Sequence, residues 1–249
     1  MKNSLIKKIP IAILLGGMLL GCDIVNDDAR PPELNVQTFT FAEKPAVVNL
    51  SAIAGGKNVD VTDVGTPAFG KFETLSDTEG NKFLVYYPNQ TFVGQKEELG
   101  MNLVNRDNNQ LFAQLKLGVE SLENGRVTTC NRASGIYDYA KISSGSTLVL
   151  DLLDNDIFCG VDYNGGIVNE HLIQNIKTED VLISLGPGRV ATLTYTPPAG
   201  FTGKVLYMYD LGINWKVNVE GVGSKQILSD PYKYLEAFTT AMVEIDVVQ

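Results

Sequence analysis

The chain has very little of what enzyme active sites are usually built from. Its 249 residues include one histidine, one tryptophan and three cysteines. We find no G-x-S-x-G nucleophile motif, no H-E-x-x-H zinc motif, no P-loop and no Cys-x-x-Cys pair. A Ser-His-Asp or Cys-His site would have to use His171, and its hydrophilic surroundings predict a surface position. Paired carboxylates for glycoside hydrolysis leave no local trace, so that alternative stays open, but we expect no enzyme.

Positive charge is also scarce. The chain has 20 Lys and Arg against 29 Asp and Glu, which gives a formal net charge of −9. This balance argues against nucleic acid as a partner and against electrostatic binding to anionic lipid. It permits cations and basic partners. Apolar residues make up 44% of the chain, so it can bury hydrophobic cores and does not resemble a disordered protein.

The longest apolar run, residues 9–20, is about a dozen residues and too short to span a membrane, which takes ~20. It follows Lys2, Lys7 and Lys8, an arrangement typical of a signal peptide. The run ends in Leu-Leu-Gly-Cys at residues 19–22, which resembles the lipobox of bacterial lipoproteins. The resemblance implies a signal peptide over 1–21 and lipidation of Cys22. An ordinary secretory signal with a chance cysteine is the alternative.

Residues 22–33 are polar and proline-rich and predict a flexible tether behind the lipidated cysteine. The Asp27-Asp28 pair resembles the surface-export signal of lipoproteins from the Bacteroidetes group. These resemblances imply a protein held by lipid at the bacterial outer membrane, on the cell surface.

Two cysteines remain beyond Cys22. An exported chain folds where disulfides persist, so Cys130 and Cys159 invite a bridge closing a loop of about thirty residues. Two buried free thiols are the alternative.

The rest of the chain alternates apolar and polar residues over short segments and has no sustained helical period. The predicted strands are 34–41, 46–52, 82–87, 110–119, 146–152, 190–196, 204–210, 215–220 and 241–248. Val, Thr, Tyr, Phe and Leu at period two, bounded by Gly, Asn, Asp and Pro, indicate half-buried strands. The predicted fold class is all-β, built as a β-sandwich.

One motif, Tyr-x-Pro-x-x-x-Phe-x-Gly, occurs twice. The first copy starts at Tyr86 and reaches Phe92, and the second starts at Tyr195 and reaches Phe201. Each follows a strand, so a duplicated domain is the simplest explanation. We therefore expect two tandem domains, over 34–120 and 125–249, as separate sandwiches with both phenylalanines buried.

The second copy also has the phrase Leu-Asp-Leu-Leu-Asp-Asn-Asp at residues 150–156 and Leu-Tyr-Met-Tyr-Asp at 206–210. With the duplicated motif, these resemble the bacterial Ig-like and cadherin-like modules found in exported surface proteins. The first copy has Ala-Gly-Gly at 54–56 where the Asn-Asp turn belongs, and is the degenerate one. The second departs by long inserts, one between Phe158 and Thr178 and one over 215–237. We expect any binding specificity to lie in these inserts, because loops on a rigid sandwich tolerate insertion.

A calcium site is one interpretation of the acidic turn. Its candidate ligands are Asp151, Asp154, Asn155 and Asp156, with Asp162 and Asp210 as further acids at the same end. Hard oxygen ligands of this kind suit Ca²⁺. The alternative is that Asn155 and Asp156 only form the turn that follows a strand.

Aromatic residues in the last insert are the candidate binding surface. Trp215, Tyr232 and Tyr234 lie there, and aromatics contribute strongly at interfaces and stack on sugars. They could equally be core residues. The predicted function is a non-catalytic, membrane-anchored subunit that binds envelope proteins, with glycan binding in polysaccharide uptake as the alternative.

Overall fold

The computed structural model describes residues 31–124, 133–158, 167–186, 190–212 and 238–249. The strands are β1 Glu33–Thr40, β2 Ala46–Asn49, β3 Val59–Thr62, β4 Gly70–Ser76, β5 Lys82–Pro88, β6 Lys96–Asn105, β7 Leu111–Ser121, β8 Ala133–Ser134, β9 Asp138–Ser143, β10 Leu148–Asp151, β11 Ile157–Phe158, β12 Ile167–Gln174, β13 Val181–Gly186, β14 Val190–Tyr195, β15 Gly203–Gly212 and β16 Phe238–Val248. One short helix, α1, covers Leu50–Ala54, and 3-10 turns cover Gln90–Phe92, Leu122–Asn124 and Thr178–Asp180. The predicted all-β fold class is confirmed. Among the described residues, no helix is long and apolar enough to cross a membrane.

Strands β1 to β7 form the first sandwich. One sheet has the order β1-β7-β6-β3, and the other has β2, β5 and β4 side by side. In β7 the buried positions alternate with exposed ones, so that Leu115 and Leu117 face the core while Lys116 faces solvent. The core fills the space between the two sheets, as the period-two pattern predicts.

The second sandwich repeats this order strand for strand. One sheet contains β12, β15, β16 and β9, and the other has the order β10-β14-β13. Strands β2, β4 and β5 of the first sandwich correspond to β10, β13 and β14 of the second, and each set lies in one sheet. Strands β3, β6 and β7 correspond to β12, β15 and β16, and each set lies in the other sheet, which is the Ig-like division. In both, the first strand also pairs in parallel with the last, β1 with β7 and β9 with β16. The strand order supports the interpretation of the motif as a repeat.

The duplicated motif occupies the same place in each copy. Tyr86 and Tyr195 are fully buried at the ends of β5 and β14. Phe92 is fully buried against Tyr86, with ring centroids 5.8 Å apart. Phe201 is only partly buried at the edge of its core. The expectation that both phenylalanines are buried is therefore wrong for the second copy.

The two sandwiches belong to one compact unit, Pro31–Gln249. A backbone pairing between Thr240 on β16 and Val47 on β2 joins a sheet of each into one seven-stranded sheet. Separate sandwiches without a shared sheet were expected, and this part of the expectation is wrong. The domain boundaries at 34–120 and 125–249 stay a prediction.

An apolar cluster packs across this junction. It consists of buried residues from both copies, namely Val47, Phe83, Val85, Leu206, Met208 and Met242. Ala46 pairs with Tyr86 and Leu148 with Tyr195, so β2 and β10 occupy matching positions. Where the covered face of the first sandwich carries Phe83 and Val85, the matching face of the second carries Thr192 and Thr194. On the equivalent face the two threonines lie beside Val149 and Leu182, which are 67% and 64% exposed.

Candidate functional site

Two buried clusters of polar side chains stand out in the described residues. The first consists of Asp138 and Asp156, named here the carboxyl pair, together with Tyr209, whose hydroxyl lies against both acids. The second is named the histidine cluster and consists of Asp77, His171 and Asp210. Tyr209 and Asp210 are neighbours on β15, so their side chains point to opposite faces of that strand. Tyr209 belongs to the core of the second sandwich, and Asp210 faces the first sandwich.

The carboxyl pair forms where the acidic turn meets the start of β9. The Tyr209 hydroxyl lies 3.2 Å from Asp138 Oδ2, 3.1 Å from Asp156 Oδ2 and 2.5 Å from the Leu152 carbonyl oxygen. One hydroxyl has a single hydrogen for three acceptors. A carboxyl that carries a proton can donate to the phenol oxygen instead, and this leaves fewer acceptors for the Tyr209 hydrogen.

Burial has the same effect on both acids. It raises the pKa of Asp138 to about 7, against the lowering effect of hydrogen bonds from Tyr209 and Asn155. It raises the pKa of Asp156 to about 8, and the neighbouring Asp138 carboxyl adds to the increase. Geometry and burial both favour a protonated carboxyl here at neutral pH.

The four predicted calcium ligands do not converge. Asp151 and Asp154 are exposed, and Asp151 Oδ1 accepts a hydrogen bond from the Leu153 backbone N–H. Asn155 donates its amide to Asp138 at 2.9 Å, and Asp156 accepts from the Ile136 N–H at 2.6 Å. Among the described residues, no group of three or more His, Cys, Asp or Glu is arranged to hold a metal. The calcium site stays a prediction, and these contacts fit the turn interpretation better.

The histidine cluster brings both sandwiches together. Asp77 lies in the turn between β4 and β5, whereas His171 is on β12 and Asp210 on β15. His171 Nδ1 is 2.9 Å from Asp77 Oδ2, and His171 Nε2 is 3.1 Å from Asp210 Oδ2. The side chain of His171 is 6% exposed, that of Asp77 is 2% exposed and that of Asp210 is 1% exposed. The predicted surface position of His171 is therefore wrong.

Each carboxylate oxygen of the cluster accepts at least one hydrogen bond. Asp210 also accepts from the amides of Asn49 and Asn169, at 3.0 and 3.1 Å, and from the Thr240 hydroxyl at 2.7 Å. Asn169, Asp210 and Thr240 pair across three neighbouring strands, and this register places the donors. Asn49 comes from the first sandwich, where its side-chain oxygen accepts from the Ala52 N–H and caps α1. Asn49 thus adds a second polar link across the junction.

Asp77 is held by its own turn. Its Oδ1 accepts from the backbone N–H groups of Glu79 and Asn81, and its Oδ2 accepts from the Asn81 amide at 2.6 Å. Gly80 has a positive φ of 89°, which lets the turn close. Across the junction, the Thr78 N–H donates to the Leu172 carbonyl at 3.1 Å. Asp77 therefore both orders this turn and lies within hydrogen-bond distance of His171.

The pKa values follow from these contacts. Burial lowers the pKa of His171, but hydrogen bonds and charge from Asp210 and Asp77 outweigh it and hold the pKa above its ordinary value. Burial raises the pKa of Asp77, and hydrogen bonds from Asn81 and His171 outweigh it, so the pKa lies below its usual range. For Asp210, burial is outweighed in the same way by the hydrogen bond and charge of His171. All three groups therefore favour their charged forms.

Several predicted site residues lie outside the described residues. They are Cys22, Cys130, Cys159, Asp162, Trp215, Tyr232 and Tyr234. Lipidation, the disulfide and the aromatic binding surface therefore stay predictions. No local pattern predicts the histidine cluster, because Asp77, His171 and Asp210 come from three distant segments. Asn169 and His171 are two residues apart and would share one face of a strand, but the segment has no clean alternation that predicts a strand there.

Comparisons with known proteins add little to this geometry. No family model matches the chain, and no curated protein matches it. Among solved structures, the Ig1-2 module of the Drosophila receptor protein tyrosine phosphatase DLAR is 11% identical, with a TM-score of 0.37, over 89% of this chain and 97% of that one. Protocadherin Gamma B7 is 11% identical, with a TM-score of 0.26, over 87% of this chain and 49% of that one.

An endo-fucoidan hydrolase of glycoside hydrolase family 107 is 10% identical, with a TM-score of 0.29, over 88% of this chain. This chain spans only 28% of the hydrolase and about half of the protocadherin. TM-scores this low carry no argument about function.

Proposed function

We propose that the protein is a non-catalytic binding subunit of the bacterial cell envelope, in which two Ig-like sandwiches present a surface of fixed shape to a protein partner. The observation that carries the proposal is the histidine cluster. Its residues come from both sandwiches, are almost fully buried and have every carboxylate oxygen bonded. Such a cluster specifies one relative arrangement of the two sandwiches.

The same geometry speaks against catalysis at His171. Both ring nitrogens face carboxylates, so neither is available to take a proton from a nucleophile or substrate. Two shallow depressions lie on the first sandwich, with volumes of about 500 and 370 Å³. Among the described residues, neither cluster lines either of these two depressions.

The proposed location rests on the leader. The lipobox-like sequence at 19–22 supports a lipid on Cys22, and the acidic pair Asp27-Asp28 supports export to the surface of the outer membrane. Residues 22–32 could reach about 35–40 Å when extended, at 3.3–3.6 Å per residue. This length would let the sandwiches stand clear of the lipid headgroups.

Affinity purification from the native envelope, with full-length tagged protein, tests the proposal. We expect capture of one or a few envelope proteins in stoichiometric amounts. The Cys22→Ser variant is the control for the anchor, and we expect it to leave the detergent phase and to lose membrane partners. A wild-type protein that partitions into water would contradict the anchor. A wild-type protein that captures no partner would contradict the binding function.

Glycan binding, the alternative function, is tested on the same protein. Saccharide binding on a glycan array that disappears in the Trp215→Ala variant would favour the alternative. We expect no such binding.

A further inference from the structure

His171 connects two carboxylates that belong to different sandwiches. Asp77 lies in a turn of the first and Asp210 on a strand of the second, and both imidazole nitrogens are within 3.1 Å of a carboxylate oxygen. A neutral imidazole has only one N–H, whereas the protonated ring has two. Only the protonated ring can therefore donate to both carboxylates at once.

We propose that His171 is a pH-sensitive lock: the protonated imidazole holds Asp77 of the first sandwich to Asp210 of the second, and loss of its proton loosens the junction. Deprotonation places a nitrogen lone pair against one buried carboxylate and leaves two negative charges with no buried cation. The link loses a charge-assisted hydrogen bond and gains repulsion. Because a neutral imidazole cannot donate to both carboxylates, the link between the sandwiches weakens at this point, while Asn49 still joins Asp210 to the first sandwich.

Few other charged or titratable groups lie near the His171 imidazole. The other side chains against the cluster are not titratable in the relevant range, namely Asn49, Asn81, Phe83, Asn169 and Thr240. Glu79 of the same turn is exposed and pairs with Lys57 at 3.1 Å. Glu170, the neighbour of His171 on β12, is exposed. Asp77 and Asp210 are thus the charges that face the imidazole among the described residues.

The directions of the pKa shifts determine how the stability of the lock changes with pH. His171 has a raised pKa in the folded protein, so its stabilisation is complete below the ordinary value of about 6.5 and is lost as pH rises through the folded pKa. Asp77 and Asp210 have lowered pKa values, so their contribution is present above about 3.8 and is lost in stronger acid. The lock is therefore closed between about pH 3.8 and 6.5 and opens as pH rises through the folded pKa of His171.

Two measurements on the wild-type protein test the lock. The chain has one histidine, so a proton NMR titration reports its pKa without assignment, and we expect a midpoint above 6.5. Hydrogen exchange of the Thr78 amide, corrected for the intrinsic pH dependence, reports the junction because this N–H donates to Leu172 of the other sandwich. We expect its protection to fall by about 10- to 100-fold around the same midpoint, as expected for one lost charged hydrogen bond.

An amide within the first sandwich, such as that of Leu99 in the β6–β7 ladder, is the internal control and should keep its protection. The His171→Gln variant cannot titrate and should show low Thr78 protection at every pH. Asp138→Asn changes the other buried cluster and should leave the Thr78 midpoint unchanged. A histidine midpoint at or below 6.5, or Thr78 protection that stays constant through the titration, would overturn the lock.

Discussion

At the residue scale, the carboxyl pair determines how stability depends on pH within the second sandwich. Asp138 and Asp156 share the Tyr209 hydroxyl, and burial raises their pKa values to about 7 and about 8. The folded state therefore binds protons that the unfolded state has released. The contribution of the pair is complete below about pH 4 and is lost as pH rises through 7 and 8.

Replacing Asp156 with Asn should flatten this dependence, because the amide stays neutral at every pH. Relative to wild type, we expect Asp156→Asn to be more stable at pH 9 by about 1–3 kcal/mol, the usual cost of an unmatched buried polar group. Urea denaturation at pH 5, 7 and 9 measures the effect. Asp154→Asn, an exposed change in the same turn, is the matched control. A variant as sensitive to alkaline pH as wild type would contradict the prediction.

Both clusters mark the limit of what the sequence could predict at this scale. The acidic turn was visible, because Asp151 to Asp156 are adjacent in the chain. Its partners were not, because Asp138 and Tyr209 reach Asp156 only after the strands have paired. His171 was hidden for the same reason. Burial and partner are properties of tertiary packing, so a lone histidine in a polar stretch predicted the wrong environment.

At the element scale, the duplicated motif packs more deeply in the first copy than in the second. Phe92 is fully buried between Tyr86 and Phe69, with ring centroids 5.8 and 6.4 Å away, whereas Phe201 is partly exposed. We expect Phe92→Ala to lower the free energy of unfolding by about 3–5 kcal/mol and Phe201→Ala by less. Urea denaturation of the two variants gives the comparison. Equal losses, or a larger loss for Phe201, would contradict it.

Strands were the most predictable elements, because their signal is local. The alternation in residues 110–119 predicted β7, and the Tyr-x-Pro motif predicted the ends of β5 and β14. Strands without clean alternation were not predicted. One example is β12, where the register shifts between Ile167 and Asn169. The pairing of β16 with β2 could not be predicted, since it depends on how the two copies meet.

At the scale of the whole molecule, the two sandwiches should unfold together. The apolar junction around Val47 and the histidine cluster both bury side chains of one copy against the other. The repeat offers a matched pair of changes, because Val47 is 4% exposed and the equivalent Val149 is 67% exposed. We expect one calorimetric transition for wild type and for Val149→Lys, and two transitions for Val47→Lys. A charge at Val47 would be buried without a partner and would separate the copies.

An unchanged single transition in Val47→Lys would contradict the coupling. Two transitions already in the wild type would show that the sandwiches are independent. Calorimetry of the wild type at a pH above the pKa of His171 tests the histidine cluster alone, because the apolar cluster around Val47 does not depend on pH.

The parallel pairing of first and last strands has a mechanical consequence. Within each sandwich, a chain pulled from its two ends enters along one strand and leaves along a neighbour that runs in the same direction. The load therefore acts along the ladder, and the eight residue pairs of β1 with β7 must slide past each other together. The six pairs of β9 with β16 are loaded in the same way. A tether at one end and a partner at the other would thus strain each sandwich in shear, the direction in which backbone hydrogen bonds share the force.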